Sequence, residues 1–292
     1  MLKLSAVVVC FNEAHHLRAC LESLSFADER VLVDLGSKDE SRAVGESLGV
    51  RVVDHPWVPI VEHVREAAVS YASHNWVVFV DPDMVLPEGA GRVIRETIST
   101  NPKIAGVRMP WQYYFLDRPL RYTPWGGTRR TQVVCIHRER YKLGREVHTG
   151  MRPKEGFEVK RLRASPDTVI GHYWVTSLES FLEKHRRYYM MEAVKPRNEG
   201  RRGSPARSFY RLIKGFFFSY LRRFGLFEGR LGLFLSVFWG VYHYNTERAI
   251  IEITKNPKLA DETRFEGGVS DAAVRRLYHR LGLPETFAGP RP

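Results

Sequence analysis

Trp76-Val77-Val78-Phe79-Val80-Asp81-Pro82-Asp83 is an unbroken aromatic and β-branched run that ends in two carboxylates separated by one proline. A run of this length and composition, bounded by turn formers, predicts a strand buried on both faces. In open α/β sheets ligands bind beyond the carboxyl ends of the strands, which is where these two acids stand. Such a pair can hold a hard divalent cation on one or two carboxylates and leave its other positions to water and phosphate oxygens. The same residues also fit a strand followed by an ordinary Asp-Pro turn, and D-x-D alone does not choose between the readings.

The residues upstream repeat the pattern. Leu4 to Cys10 is a continuous apolar run that predicts a buried strand, with Phe11-Asn12-Glu13 as its turn. Leu17, Cys20, Leu21 and Leu24 then recur at helical spacing. Arg30 to Asp34 is a second strand that ends in an acid, and Gly36-Ser37-Lys38-Asp39 leads into a helix that stops at Gly49. A short strand at Arg51-Val52-Val53 and a helix from about Val61 to Tyr71 precede the Trp76 strand. A further helix begins at Pro87, and Ile104-Ala105-Gly106-Val107 returns to strand. Strands alternating with helices predict an α/β fold, a mainly parallel sheet covered by helices on both faces. Asn12, Glu13, Asp34, Asp81 and Asp83 then share one sheet edge. An aspartate there can accept a hydrogen bond from a base N–H or a ribose hydroxyl, and a basic side chain such as Arg65 can face phosphate.

The second half is less regular. Met109 to Trp125 is rich in aromatics and prolines without a clean period, and reads as a long loop over the sheet edge, either functional or a packed cover. Thr131 to Ile136 and Thr168 to Tyr173 are strand-like, Ser177 to about Met191 is helical, and His172 reads as a satisfied histidine near the core. Lys195 to Arg207 has linker composition. Beyond it, aromatic runs alternate with Lys and Arg, and the uncharged span from 231 to 246 is shorter than the roughly 20 residues a spanning helix needs. These helices suit either a membrane interface, as a peripheral anchor, or docking on the catalytic domain or on a second copy of the chain, which leaves a homo-oligomer open. The expected division is a catalytic domain at 1–195, amphipathic helices at 196–255 and a tail at 256–292 with one short helix near 270–281.

The formal net charge of +12 favours anionic partners: nucleic acid, anionic lipid or phosphorylated substrates. No recognisable nucleic-acid-binding module accompanies it, so nucleic acid is not expected. Three cysteines without CxxC spacing indicate neither a disulfide framework nor a zinc site. With no leader in front of the first strand, the expected location is the cytoplasm, at the inner face of the membrane. Neither a Walker A motif nor a G-x-G-x-x-G fingerprint is present.

The order Val-Val-Cys-Phe-Asn-Glu, Val-Asp-Leu-Gly-Ser-Lys-Asp, Phe-Val-Asp-Pro-Asp resembles glycosyltransferase family 2, which has the GT-A fold, over about residues 1 to 110. It looks closest to the small lipopolysaccharide-core β-glucosyltransferase-like members, whose helical tail carries a pattern like Phe224-Gly225-Leu226-Phe227-Glu228-Gly229. The resemblance implies a nucleotide-sugar donor, with a UDP-sugar favoured, a divalent cation (Mn2+ or Mg2+), inversion at the anomeric carbon and a saccharide or lipid-linked acceptor. By position, Asp34 matches the acid that contacts the nucleobase, Asp81 the acid near ribose and sugar, and Asp83 the metal ligand.

Two positions depart from the family pattern. Arg65-Glu66 stands where such proteins often have Arg-Asn, and His148-Thr149 where they often have His-Glu. Transfer to a hydroxyl needs a general base, and threonine cannot serve. His148 or Glu146 can take that role, or each can be a structural residue of a basic loop. A lipid phosphate acceptor, already anionic, would need no base, and Arg129, Arg130, Arg138 and Arg140 read as a cluster that could bring it close. A non-catalytic nucleotide-sugar-binding scaffold is the remaining alternative.

Overall fold

The computed structural model describes residues 2–58, 61–143, 151–175 and 201–256, together with individual residues between 181 and 200. The chain divides into two compact units: Met1–Arg121 with Trp125–Thr176, and Tyr122–Pro124 with Ser177–Pro292. The sequence placed the end of the catalytic domain at 195, a boundary that falls inside the second unit.

In the first unit, β1 (Leu4–Cys10), β2 (Glu29–Asp34), β3 (Arg51–Asp54) and β4 (Trp76–Val80) form the parallel half of a sheet in the order β3-β2-β1-β4. Parallel strands buried on both faces need apolar residues at every position, which is why these runs lack alternation. In β1 the residues divide by parity. Leu4, Ala6, Val8 and Cys10 pack with Leu17, Cys20 and Leu21 of α1 (Ala14–Ser23) and with Ile94 of α4 (Ala90–Ser99), whereas Val7 and Val9 pack with Val64 and Ala68 of α3 (Val61–Ser70). The connection between β2 and β3 is α2 (Ser41–Ser47).

The sheet continues through β8 (Thr131–His137), β6 (Ile104–Phe115), β12 (Ile170–Val175) and β5 (Met84–Val85), which gives ten strands among the described residues once β7 (Arg118–Pro119) and β11 (Glu158–Arg161) are paired to β6. A two-stranded sheet of β9 (Tyr141–Leu143) and β10 (Met151–Pro153) completes the unit. Three sequence expectations need correction. The sheet is mixed, because β8 runs antiparallel to both β4 and β6 and β5 runs antiparallel to β12. The expected loop from Met109 is strand as far as Phe115: cross-strand pairing with β8 on one side and β12 on the other overrides a composition that has no local period. The four arginines are not one cluster. Antiparallel β8 carries Arg130 and Arg138 to opposite ends, so Arg138 bonds the carbonyl of Ala72 and Oδ1 of Asn75, while Arg140 bonds the carbonyl of Ile104 and lies over the Trp76 ring, at the amino end of β4.

In the second unit α5 (Pro205–Phe217) starts inside the expected linker, with Pro205 in the first turn where its missing N–H costs nothing. It runs on through a π-helical turn, Phe218–Arg222, and a 3-10 turn, Gly225–Glu228, to α6 (Gly229–Lys255). The base of this pair is closed by Glu247, which is fully buried, accepts from Arg201, lies 3.3 Å from Arg207 Nη1 and 3.4 Å from Arg211 Nε, and takes a bond from the Ser204 N–H. The expected helix near 270–281 and the tail lie outside the described residues.

Two carboxylates, the half-buried Glu29 and the fully buried Glu247, give stability predictions. Burial pushes the Glu29 carboxyl up, but bonds from the Ser5 hydroxyl, the Ser73 N–H and hydroxyl and the Arg51 guanidinium outweigh it and hold the pKa at about 2 against an ordinary 4.5. A depressed pKa stabilises the fold above the unfolded value, so this contribution is complete above 4.5 and is lost as pH falls towards about 2. Glu29→Gln is expected to cost on the order of 2 kcal/mol in urea unfolding at neutral pH and to flatten the acid limb of the stability profile. Glu247→Gln leaves three guanidiniums without their counter-charge and is expected to cost about 3 kcal/mol by the same measurement.

Candidate functional site

Parallel pairing of β1 with β2 on one side and β4 on the other makes β1 the point at which the strand order reverses, where α/β sheets open a crevice. The register fixes what lines it. Cys10 is opposite Asp34 and Val8 is opposite Val80, so Asp34 and Asp81 flank the carboxyl end of β1 on its two sides.

Asp34 is buried, 3% exposed. The Cys10 thiol, 3.6 Å away, and the Ser37 N–H, at 3.1 Å, both donate to its Oδ1. Burial, and then the Asp34 charge, push the Cys10 pKa far up, so the thiol keeps its proton as a donor. Both bonds fall on one oxygen, which leaves Oδ2 as the acceptor for an incoming N–H or O–H.

The β1 and β2 turns are tied to each other. Asn12 adopts a left-handed backbone, φ 56°, which asparagine tolerates better than most residues, and its Oδ1 accepts the Lys38 N–H at 2.7 Å while its own N–H donates to Ser37 Oγ. The N–H of Glu13 bonds Ser41 Oγ and that of Ala14 bonds Asp39 Oδ2, so the open N–H groups that begin α1 are capped by the turn after β2. Asn12, through its side-chain oxygen and its N–H, and Glu13, through its N–H, therefore tie the turn after β1 to the turn after β2.

Arg65 of α3 lies over the Phe79 ring, its Cζ 5.8 Å from the centroid, on the face of β4 that Phe79 occupies. Its guanidinium is 3.5 Å from Glu62, and its buried Nε has no hydrogen-bond partner among the described residues. It thus carries donor capacity beside the strand end. Glu66, next to it, is exposed.

The structure adds a residue that the sequence assigned to the core. His172 of β12 is paired in register with Tyr113 of β6 and with Met84 of β5, the neighbour of Asp83. Its Nε2 lies 3.3 Å from Asp83 Oδ1, and the N–H of Tyr173 donates to the Asp83 carbonyl at 2.7 Å. Tyr113 stacks on the imidazole at 4.8 Å and Trp111 packs on it at 4.9 Å, which fixes the ring plane. Asp83 and His172 are both buried, 9% and 8% exposed. No spacing in the sequence signals this pair, because the strands that carry it are joined through tertiary pairing. The alternation of Trp111, Tyr113 and Phe115 was the available clue that β6 extends far enough to support it.

A carboxylate oxygen facing an imidazole nitrogen is a mixed oxygen and nitrogen donor set that fits a cation such as Mn2+ with an otherwise oxygen-rich shell. Among the described residues no three or more His, Cys, Asp and Glu side chains gather as a metal cage. A cation held by Asp83 and His172 would have coordination positions left for water and for the phosphate oxygens of a nucleotide. His148 and Glu146, the candidate bases, lie outside the described residues.

A family model described as glycosyl transferase family 2 matches residues 5–154. The lipopolysaccharide core biosynthesis glycosyltransferase LpsC of Rhizobium meliloti (strain 1021) is 27% identical over 262 residues, which cover 86% of this chain and 93% of that protein. An uncharacterized glycosyltransferase of Rickettsia bellii (strain RML369-C) is 33% identical over 82 residues, 28% of each chain. Among solved structures, glucosyl-3-phosphoglycerate synthase from Mycobacterium tuberculosis in complex with Mn2+, UDP and phosphoglyceric acid has 17% identity and a TM-score of 0.39, covering 58% of this chain and 70% of that one.

The two halves of the site should separate experimentally. His172→Ala is expected to lower manganese affinity, measured by calorimetry in the presence of a nucleoside diphosphate, by at least about tenfold. Asp34→Asn should leave the metal affinity in place and weaken the nucleotide.

Proposed function

The chain belongs to glycosyl transferase family 2 and is a glycosyltransferase, and from that premise we propose that it is a metal-dependent, inverting enzyme that moves a sugar from a UDP-sugar to a membrane-associated saccharide or glycolipid acceptor. The observation that carries this reading is that strand register sets Asp34 and Asp81 on either side of the end of β1, with Asp83, two residues beyond Asp81, facing His172.

Each residue has a task set by its chemistry. Asp34 Oδ2 accepts a base N–H, for which the imide of uracil is a match. Asp81, at the end of β4, accepts hydroxyls of the ribose and the transferred sugar. Arg65 donates to the diphosphate, where a guanidinium offers a charged fork to phosphate oxygens. Asp83 and His172 hold the divalent cation, and when bound there it supplies charge neutralisation to the leaving nucleoside diphosphate. The aromatic packing of Trp111 and Tyr113 keeps His172 on Asp83 and excludes water from that side.

Inversion requires the acceptor oxygen to attack the anomeric carbon from the face opposite the leaving diphosphate, with its proton removed by a base within hydrogen-bond reach. His148 or Glu146 supplies that base in this proposal, since the family glutamate is replaced by Thr149. The likeness to a lipopolysaccharide core enzyme over most of both chains supports an envelope saccharide as the acceptor class.

Asp83→Ala is expected to abolish metal-dependent donor turnover while the thermal midpoint without ligand stays at the wild-type value. Full activity in that variant would overturn the metal assignment. In a thermal-shift screen, UDP should raise the midpoint with manganese present, with GDP and no-metal controls much weaker; a preference for GDP would reassign the base.

A further inference from the structure

Near the turn that joins its two helices, the helical unit turns small residues inward and many large apolar residues outward, whereas its far end buries Tyr242, Ile250 and Ile253 in an ordinary apolar cluster. In α5 the buried positions are Ser208 and Gly215, whereas Phe209, Ile213 and Phe217, at i, i+4 and i+8, are each more than half exposed. The first half of α6, up to Val241, repeats the inversion: Gly232, Ser236 and Gly240 are buried and Leu233, Val237 and Val241 are exposed, with Leu235 the buried exception. The two helices meet through the small set, antiparallel. A Cβ on Gly215 would come within 3.0 Å of Gly240 Cα, a Cβ on Gly240 within 2.5 Å of the Leu212 carbonyl, and the hydroxyls of Ser219 and Ser236 bond at 2.8 Å in the buried seam.

In water this arrangement runs against the main driving force of folding. Burying a Phe, Leu, Ile or Val side chain is worth about 1.5–3 kcal/mol, and burying glycine gains almost nothing. Where the surroundings are apolar that difference vanishes, and close backbone approach through Gly and Ser becomes the favoured way for helices to pack. The seam and the outward faces therefore point to the same medium.

Charge names the medium further. Between residues 201 and 246 there are eight Arg and Lys side chains and one acid, Glu228. Glu228 is buried and accepts the Tyr122 N–H at 2.7 Å, and Arg201, Arg207 and Arg211 are gathered on Glu247, so the remaining charge of this stretch is the cationic set Arg202, Lys214, Arg222, Arg223 and Arg230. The turn between the helices concentrates both properties. Phe224 and Phe227 are 51% and 63% exposed there, beside the exposed Arg222 and Arg230. Aromatic rings beside arginines are the composition of an element that lies in the interface of an anionic leaflet. A second copy presenting the same cationic face would meet like charge. No single helix among the described residues is long and apolar enough to cross a membrane.

We propose that this helical unit is a monotopic docking element for an anionic bilayer, with Phe209, Ile213, Phe217, Leu233, Val237 and Val241 sunk into the acyl boundary and Arg222 and Arg230 on the headgroups. The proposal deepens the reading of a membrane-associated acceptor and rests on it for its purpose. Its test reads lipid binding, which is separate from turnover.

The experiment is flotation of the full chain with phosphatidylcholine vesicles, with and without about a third phosphatidylglycerol. The wild type should float with the anionic vesicles and lose at least about tenfold in partitioning on neutral ones or at high salt. Phe217→Glu with Phe227→Glu should lose at least about tenfold on both, and Arg222→Gln and Arg230→Gln about fivefold each on anionic vesicles only, all with unchanged donor hydrolysis. The native cysteines Cys10, Cys20 and Cys135 are buried, so a fluorophore on Val237→Cys reports depth without competition and should shift to the blue on anionic vesicles. That label decides the question even if the glutamate variant fails to fold. A wild type that ignores anionic vesicles at low salt, or a label that stays in water, overturns the proposal. So does a solution dimer that the glutamate pair dissociates in a chain with no vesicle binding.

Discussion

Everything at the site depends on β1 being paired in parallel on both sides. That pairing is possible only because every position from Leu4 to Cys10 is buried, alternate side chains being taken up by helices on the two faces. Once β1 is fixed between β2 and β4, register places Asp34 on one side of its end and Asp81 on the other with no further adjustable element. A slip of one residue would exchange the two faces of the strand and is excluded by both core clusters at once. The carboxylates are thus held by the hydrophobic core, and the turns around Asn12 and Ser37 only trim their surroundings.

The pair formed by Asp83 and His172 has a different origin. Asp83 closes the D-x-D turn, but its partner comes from β12, reached through the short antiparallel pairing with β5 and braced by the rings of β6. The mixed sheet matters here, since the antiparallel half is what returns the chain to the ends of the parallel strands, as in the GT-A arrangement that the family implies.

The helical unit follows the opposite logic to the sheet. In the first unit large apolar residues are buried and small ones are incidental. Where α5 and the first half of α6 meet, Gly215, Gly240, Ser219 and Ser236 make the contact, and Phe209, Ile213, Phe217, Leu233, Val237 and Val241 are left outside. At the base of the same pair, a fully buried Glu247 gathers Arg201, Arg207 and Arg211, a polar fastening that keeps the two helices together at the end rich in charge.

Much of this was legible before any coordinates. The apolar runs at Leu4, Arg30 and Trp76, the acids that end them and the order of the motifs are local properties, and burial on both faces leaves such strands little choice of residue, so sequence determined the parallel core, the edge carrying Asn12, Asp34 and Asp81, and the family. Composition also marked the aromatic, basic helices and the shortfall in length for a membrane span. Tertiary structure decided the rest. Arg138 and Arg140 left the expected cluster because an antiparallel strand reverses direction, Met109 to Phe115 became strand because its partners lay on both sides, and the inward seam of Gly and Ser became visible only with the helices paired. His172 is the clearest case: an isolated histidine in a strand carries no local signal, and it becomes a ligand candidate only when pairing with β5 and β6 brings its ring to the carboxylate of Asp83.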